Sequence, residues 1–496
     1  MALPLLSEPR RWTGHWWLPE NPDHKVPGVL TYAPGDGLTL RMIGGWEYRN
    51  ISTPAPDVTV VHEGLRSWPV VHGTAQNKRI TLLDLQCVDA KVFSLRFDSG
   101  QPDQLDVIAR TALIGLHLDS EDDAEFVSCS ATIENLTAWS RESAIEHRVK
   151  LDQETDRLES GEIRYVPVGD PQKAKVGDVR ANLNHLLTLP DFERTLGATT
   201  ARIVERTSVE FSSTEPRPLR EWLKMLSGMS DLMSLSTLTA CTEITLHLWT
   251  PATPEAYPDD YPLRDRLHEV AVYERRVVTP DPDRKGADLR KFLLTLDDLP
   301  FPVLMPRWME VNDKFSSAQS MILGLSYIAG GYLQSRVVTA IGAAESFHRA
   351  LDVKPTMSER EFKELRKTLL EAVPRERKQW LADRIMRNEA SLHERLVDLA
   401  RRPGEFMVAL VPDAEKWAKE ATRARNGLAH DGRSESHTLE ELYAVVEVTR
   451  AVVILNLLSQ LGIPAKRMAK GLSEHPVLST AARLGKAHFA DENSAA

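Results

Sequence analysis

The sequence has few cysteines and no long apolar run. Its 496 residues include three cysteines, Cys87, Cys129 and Cys241, which are scattered and odd in number. They exclude a disulfide framework, and nothing near them has the spacing of zinc ligands. Apolar runs stay far below the roughly 18 residues of a membrane span, and the N-terminus lacks the order of a secretion signal. We therefore expect a cytoplasmic protein with no membrane span and no metal.

The composition is that of a globular protein, with 42% hydrophobic and 27% charged residues. The charge is uneven: residues 1–300 hold 33 Lys and Arg against 46 Asp and Glu, a net of -13. Residues 301–496 hold 28 against 25, a net of +3. The first part repels polyanions on average, whereas the second tolerates a phosphate backbone.

The first 145 residues alternate short apolar-polar segments with turn residues. Examples are the segments 28–32 and 38–43, which are separated by Pro34-Gly35-Asp36-Gly37. This spacing predicts a sandwich-like or barrel-like sheet. A mixed α/β region follows, so we predict one β-rich domain over 1–310, with a division near residue 145 as an option.

The chain changes to long helices after about residue 316. The periodicity predicts five helices, of which the first could break at Gly330-Gly331. Two begin with capping boxes, at Ser358 and Thr438. The five predicted helices cover 317–351, 358–373, 375–402, 413–430 and 438–461. We thus predict an α+β multidomain protein with an all-α bundle at 311–470 and a loosely ordered tail at 471–496.

One motif in the bundle carries candidate chemistry, namely Arg425-Asn426-x-x-x-His430 near the end of the fourth helix. It flanks a core stripe, and positions 426 and 430 share a face if the helix extends that far. RNA cleavage needs a general base and acid, for which histidine is suited. It also needs fixed positive charge beside the phosphorane, which arginine provides. The alternative to a catalytic site is a histidine that caps the end of a helix, beside an arginine that forms an ion pair on the surface.

The segment 317–465 resembles a HEPN domain, a helical-bundle family marked by Arg-x(4–6)-His with a polar residue after the arginine. Arg425, Asn426 and His430 match that motif. The family's second motif is a Glu with a basic residue four positions later, and Glu345 and Arg349 match it. The N-terminal motifs Gly14-His-Trp-Trp-Leu-Pro19 and 26–32 are similar to the domain that precedes HEPN in its ApeA-type branch.

The resemblance implies a metal-independent endoribonuclease of bacterial antiphage defence, of the abortive-infection type. Arg425, Asn426 and His430 would be catalytic, and Glu345 with Arg349 would support them. It implies no cofactor, RNA as substrate and a homodimer in which two Arg/His sets form one cleft. The last predicted helix, apolar on nearly all sides, fits such a dimer. The N-terminal domain would be a sensor for a phage-derived protein or a small molecule.

Two other functions remain open at this stage. The bundle could bind nucleotide or a partner protein without cleaving anything. Alternatively, the chain could be a carbohydrate-binding β-protein with a helical dimerisation domain, in which tryptophans stack on sugars. Five tryptophans lie in the first 70 residues, although such residues are more often core: Trp12, Trp16, Trp17, Trp46 and Trp68.

Overall fold

The computed structural model describes most of the chain, and contacts divide it into two compact units. The first unit comprises Met1–Ser234, Ala240–Ala287 and Thr295–Pro306; the second comprises Leu235–Thr239, Asp288–Leu294 and Arg307–Ala496. Side chains are described except at 49–63, 91, 430 and 431. The described residues are 5–46, 49–55, 58–63, 67–91, 103–152, 154–166, 168–253, 265–281, 284–328, 330–354, 357–431 and 436–490.

The first unit is built from strands. In chain order they are β1 (Arg10–Trp17), β2 (Val26–Ala33), β3 (Gly37–Ile43), β4 (Arg49–Ala55), β5 (Val58–Glu63), β6 (Ser67–Ala75), β7 (Lys78–Lys91), β8 (Gln104–Ile114), β9 (Ala124–Ile133), β10 (Ile145–Leu151), β11 (Leu158–Tyr165), β12 (Gln172–Val176), β13 (Val179–Leu187), β14 (Asp191–Arg194), β15 (Thr199–Arg202), β16 (Glu205–Pro218), β17 (Glu243–Thr250) and β18 (His268–Glu274).

Twelve of these described strands form one antiparallel sheet, in the order β12-β13-β16-β9-β17-β18-β8-β3-β2-β1-β6-β7. An additional pairing of β7 with β8 closes the last six strands into a barrel. The edge of β8 is shared, because residues 104–109 pair with β3 and residues 111–114 pair with β18. The sheet therefore leaves the barrel along β18. Three hairpins, β4-β5, β10-β11 and β14-β15, form separate two-stranded sheets.

Aromatic side chains fill the barrel. Trp16 is fully buried, and its ring lies against Gly73, where an added Cβ would overlap it. Trp12, Trp17 and Trp46 are also buried, so these tryptophans belong to the core. Trp68 is half-buried and makes an edge-on contact with Trp46.

The helices follow mainly after residue 300. They are α1 (Leu136–Trp139), α2 (Leu219–Thr237), α3 (Phe301–Lys314), α4 (Ser316–Tyr327), α5 (Leu333–Ala350), α6 (Glu359–Ala372), α7 (Arg375–Arg384), α8 (Leu392–Arg401), α9 (Ala414–Asp431), α10 (Leu439–Gln460), α11 (Ala465–Glu474) and α12 (Pro476–Phe489).

Helix α10 is the centre of the second unit and packs against α5 and α12. Among the described residues it is the one helix long and apolar enough to span a membrane, yet 89% of its most apolar window is buried inside the protein. Its own unit thus covers its apolar surface, and α10 gives no argument for a second copy. The dimer stays a prediction.

The α+β multidomain prediction, with a β-rich N-terminal part and a helical bundle, is confirmed. Of the two sheet architectures left open, the structure has the closed barrel. The break at Gly330-Gly331 is also present, because α4 ends at Tyr327 and α5 begins at Leu333.

Two predictions about the helical region were wrong, namely the single helix over 375–402 and the loosely ordered tail. The stretch 375–402 is not one helix, because α7 ends at Arg384 and a capping box of Ser391 and Glu394 starts α8. Trp380 is consequently 61% exposed rather than part of a core stripe.

The predicted loose tail at 471–496 is instead ordered through most of its length. Helix α12 buries Leu478, Ala481 and Phe489. It contacts α10 and α11, and its apolar residues are thereby removed from water. Residues 491–496 lie outside the described residues.

Candidate functional site on helices α5, α8 and α9

Helix α9 carries the Arg-Asn-x-x-x-His motif, and its register is fixed by a buried stripe. The Asp413 carboxylate accepts a hydrogen bond from the Lys416 backbone N–H at 2.9 Å, which caps the start of the helix. The stripe consists of Trp417, Ala421 and Ala424, each fully buried, and Leu428, 9% exposed. The core side of α9 is therefore occupied. Arg425 lies beside the stripe, whereas positions 426 and 430 lie on the opposite side of the helix, each two residues from Leu428.

Arg425 and Asn426 are in direct contact. The half-buried Arg425 donates a hydrogen bond through Nη1 to Oδ1 of the exposed Asn426, at 3.3 Å. This bond directs the amide oxygen towards the guanidinium and leaves the amide N–H₂ group as a donor. The hydrogen bond holds a fixed positive charge next to a neutral donor, a combination suited to a phosphate group.

His430 lies inside α9, which continues to Asp431. Positions 426 and 430 are about 40° apart around the helix axis, so they share a face as predicted. Positions 425 and 430 are about 140° apart, because five residues separate them. The side chain at 430 is outside the described residues. A single straight helix therefore does not direct positions 425 and 430 to one point.

The Glu345 and Arg349 pair forms an ion pair on α5. Arg349 donates through Nη2 to Glu345 Oε1 at 2.9 Å, and its Nη1 lies 3.7 Å from Glu389 Oε2. Helix α5 packs against both α8 and α9. The structure records no direct contact between this pair and Arg425 or Asn426 among the described side chains, so the two motifs share a helical core rather than a hydrogen bond.

A network around the buried side chains of His348 and Arg395 adjoins this pair, and neither sequence motif includes it. Arg395, 7% exposed, lies 3.0 Å from Glu389 and donates towards His348 Nδ1 at 3.4 Å. The other ring nitrogen of His348 lies 3.1 Å from Asp398. Burial lowers the pKa of His348, which Asp398 partly offsets. His348 is therefore a neutral, packed residue. In the sequence, this network is marked only by the spacing of Glu389 and Arg395, which form an ion pair.

A cleft of about 320 Å³ opens beside this network. It is lined by both Arg349 and Arg395, together with Lys354 and Asn388. Three basic side chains and an amide next to the Glu345 motif could hold a phosphate. The lining also includes the carboxylates of Asp352 and Glu389, so the charge there is mixed.

A second unpredicted histidine lies near the other end of the α9–α10 connection. The His437 side chain is 2% exposed, and its Nε2 lies 3.2 Å from the Glu420 carboxylate on α9. Glu420 also contacts Arg423 at 3.2 Å. The first of these contacts holds His437, which directly precedes α10, against α9. Its sequence signal is weak, because a lone histidine before a capping box is common at a helix start.

In the sequence, His62 and His72 flank a loop with no third metal ligand nearby, and the structure gives His72 a structural role. His72 is buried, with Nε2 3.0 Å from the Leu118 carbonyl oxygen, and its ring stacks on that of His117. The side chain of His62 lies outside the described residues. Within the described part of the chain, no group of three or more His, Cys, Asp or Glu residues could hold a metal ion.

Comparison with known families agrees with this arrangement. Residues 11–308 match the family described as ApeA N-terminal domain 1, and residues 338–467 match the family described as Apea-like HEPN. The second match contains most of α5, all of α8 and α9, and both motifs. No curated protein and no solved structure matches the chain. The N-terminal match alone spans more than half of the 496 residues, so the chain belongs to the ApeA-type HEPN family.

Proposed function

We propose that this protein is a metal-independent endoribonuclease of a bacterial antiphage system of the abortive-infection type. Membership of the ApeA-type HEPN family supports a defence role. The observation that carries the catalytic proposal is the Arg425–Asn426 pair, which lies outside the core stripe of α9 in the HEPN segment. Its polar groups have no role in core packing and are available to a ligand.

The proposed reaction uses the nucleophile that RNA itself carries. A base removes the 2′-OH proton, the 2′-oxygen attacks the phosphorus, and the bond to the 5′-oxygen breaks. The leaving oxygen takes up a proton, so the products are a 2′,3′-cyclic phosphate and a 5′-OH. We assign the proton transfer to His430 and stabilisation of the phosphorane to Arg425. Asn426 would hold a non-bridging oxygen, and Glu345 with Arg349 would orient the site.

A homodimer fits the register of α9. Positions 425 and 430 of one copy diverge by about 140° around the axis, so one copy aims them at different places. Two copies related by a two-fold axis would pair Arg425 of one with His430 of the other across one cleft. A crosslinking or mass measurement of the full chain should give a dimer, and mixed dimers of Arg425→Ala and His430→Ala chains should retain one active set.

Basic and aromatic residues on α7, outside the cleft that Arg349 and Arg395 line, favour RNA as the substrate. Helix α7 has no buried residue and carries four Lys or Arg against two Asp or Glu. The Arg384 guanidinium lies 5.7 Å from the centroid of the exposed Trp380 ring. An exposed indole beside guanidinium groups is suited to stacking on an unpaired base.

We also propose that the N-terminal unit controls the nuclease in response to a phage-derived protein or a small molecule. Its net charge of -13 over residues 1–300 disfavours a long polyanion as the signal. A deletion is a poor test, because the helical unit includes earlier segments: Arg467 donates to the Phe292 carbonyl oxygen at 2.7 Å. The control should be tested in the full chain, through variants of the N-terminal unit.

RNA cleavage by the purified full chain in EDTA tests the enzymatic proposal. The comparison is wild type against His430→Ala, with His393→Ala on α8 as a matched histidine control that is 37% exposed. We expect the wild type and His393→Ala to yield cyclic phosphate ends and His430→Ala to be inactive. Products with 5′-phosphate, or a strict requirement for magnesium, would exclude the mechanism. RNA binding without cleavage in all three proteins would favour the non-catalytic alternative.

A further inference from the structure

The half of the sheet that leaves the barrel has one apolar face and one polar face. Cys129, Phe211 and Leu248 are fully buried on the apolar face. The opposite face carries three rows of side chains, because directly paired residues lie on the same face. The first row is Asn184, Ser208, Thr132 and Thr245; the second is Glu210, Ser130 and His247; the third is Ser212, Ser128 and Trp249.

Small hydroxyl residues occupy the middle of these rows, and larger residues stand on both sides. Serine and threonine from β9 and β16 thus form a floor, with Trp249 and His247 of β17 on one side. Asn184 of β13 and Glu210 lie towards the other side, where the Asn184 amide donates to the Glu210 carboxylate at 2.9 Å. The result is a trough of about 450 Å³, a size that suits a small molecule.

The hydroxyl residues of the floor are buried. Ser128, Thr132, Ser208 and Thr245 are at most 5% exposed although they are polar. The Thr132 and Thr245 hydroxyls contact each other at 2.8 Å. Hydroxyl groups both donate and accept, so this floor can bind uncharged donors and acceptors.

His247 is the most deeply placed ring of the trough, with 2% exposure. Its Nδ1 lies 2.7 Å from Glu269, and burial lowers its pKa although Glu269 acts to raise it. A neutral ring carries one proton, so one of its two nitrogens is an acceptor. Within the described part of the chain neither ring nitrogen forms a hydrogen bond of good geometry, although Nδ1 lies close to Glu269.

The charges in and around the trough limit the class of ligand that it can bind. The charged lining groups are Glu210 and the exposed Arg266 at the rim, which balance. Residues 1–300 carry a net charge of -13, which opposes a polyphosphate. Half-buried Trp249 offers a ring face for stacking, and the Glu210 carboxylate can accept from two neighbouring hydroxyls, as acidic residues do with ribose.

We propose that this trough binds an uncharged nucleoside, with the base against Trp249, the ribose diol at Glu210 and the polar edge of the base above the hydroxyl floor. This ligand is separate from the RNA substrate of the helical unit. It gives the N-terminal unit a specific small-molecule site. The same site would be the point at which a nucleoside pool influences the protein.

Thermal-shift and calorimetric titration of the full chain with adenosine, guanosine, cytidine and uridine test the proposal. Glucose and galactose serve as diol compounds without a base. We expect at least one nucleoside to bind and neither sugar to do so. Trp249→Ala should weaken binding about 5- to 150-fold, the range for one stacked base. Phe192→Ala, an aromatic residue on β14 that is 71% exposed, should leave it unchanged.

Three further variants keep the proposal open to refutation. Ser130→Leu fills the centre of the floor and should abolish binding, whereas Glu210→Gln should weaken it. Trp249→Phe keeps a ring if the alanine variant does not fold. Failure of all four nucleosides to bind at 10 mM, equal binding of glucose, or affinity unchanged in Ser130→Leu would overturn the proposal. Loss of nucleoside binding in His430→Ala would also overturn it, by locating the ligand at the nuclease site.

Discussion

Replacement of Arg425 by alanine is expected to abolish RNA cleavage while leaving the fold intact. Arg425 is half-buried, and its hydrogen bond at 3.3 Å goes to an exposed amide. Such a bond stabilises the folded state by less than about 1 kcal/mol. Loss of one fixed donor opposite a developing oxyanion lowers kcat about 100- to 1000-fold. The predicted effect on rate is thus much larger than that on stability.

Three further variants of the same helix calibrate this expectation. Arg423→Ala removes an arginine that is 49% exposed and pairs with Glu420, so it should keep activity and stability. Trp417→Ala removes a fully buried ring and should lower the free energy of unfolding by about 3–5 kcal/mol. Arg425→Lys retains the charge but not the planar fork, and should recover part of the activity.

The assay combines single-turnover cleavage of a labelled RNA with a thermal melt of each variant. Arg425→Ala should melt within about 4 °C of the wild type, whereas Trp417→Ala should melt well below it. If Arg425→Ala melts as low as Trp417→Ala, the residue is structural. If Arg423→Ala loses as much activity as Arg425→Ala, the loss results from removing a positive charge from α9 and not from a specific role of Arg425. Either result would refute the assignment of Arg425 to the reaction.

Three other predictions concern the helical unit. Gly485→Ala should destabilise it by about 1–3 kcal/mol in denaturant titration, because an added Cβ would collide with the Leu410 backbone oxygen; unchanged stability would contradict the docking of α12. The pKa of His348 is lowered in the folded state, so its contribution to stability is complete above pH 6.5 and decreases as the pH falls towards the folded-state pKa. His348→Gln should flatten that part of the stability–pH curve, and an identical curve would refute the role of burial. Trp380→Ala, at a site 61% exposed, should preserve the melting temperature and weaken RNA binding about 5- to 150-fold in a filter assay, whereas unchanged affinity would exclude stacking there.

Local signals in the sequence were enough for the class of each region and for the candidate motif. Alternation of period two in strands such as β2 and β3 reflects a backbone that points successive side chains to opposite faces. The capping boxes at Ser358 and Thr438 are formed as predicted, since their hydrogen bonds join residues three apart. The core stripe of α9 from Trp417 to Leu428 is likewise a property of one helix. Each of these features depends on neighbours along the chain.

What the tertiary structure decided depends on residues far apart in sequence. The barrel closes because β8 pairs with β7 along one edge and with β3 along the other. The rest of that second edge pairs with β18, along which the sheet leaves the barrel. The first row of the trough begins at Asn184 on β13 and ends at Thr245 on β17, and β16 and β9 lie between these two strands.

The dependence on residues far apart in sequence also explains the two wrong predictions about the helical region. The amphipathic pattern around Trp380 resembles that of a core helix, but no element of the described residues covers its ring, which is 61% exposed. The tail residues of α12 are ordered because α10 and α11 supply the partner surface. Periodicity states which face of an element is apolar, and only the fold decides whether another element covers that face, because burial is a contact between distant segments.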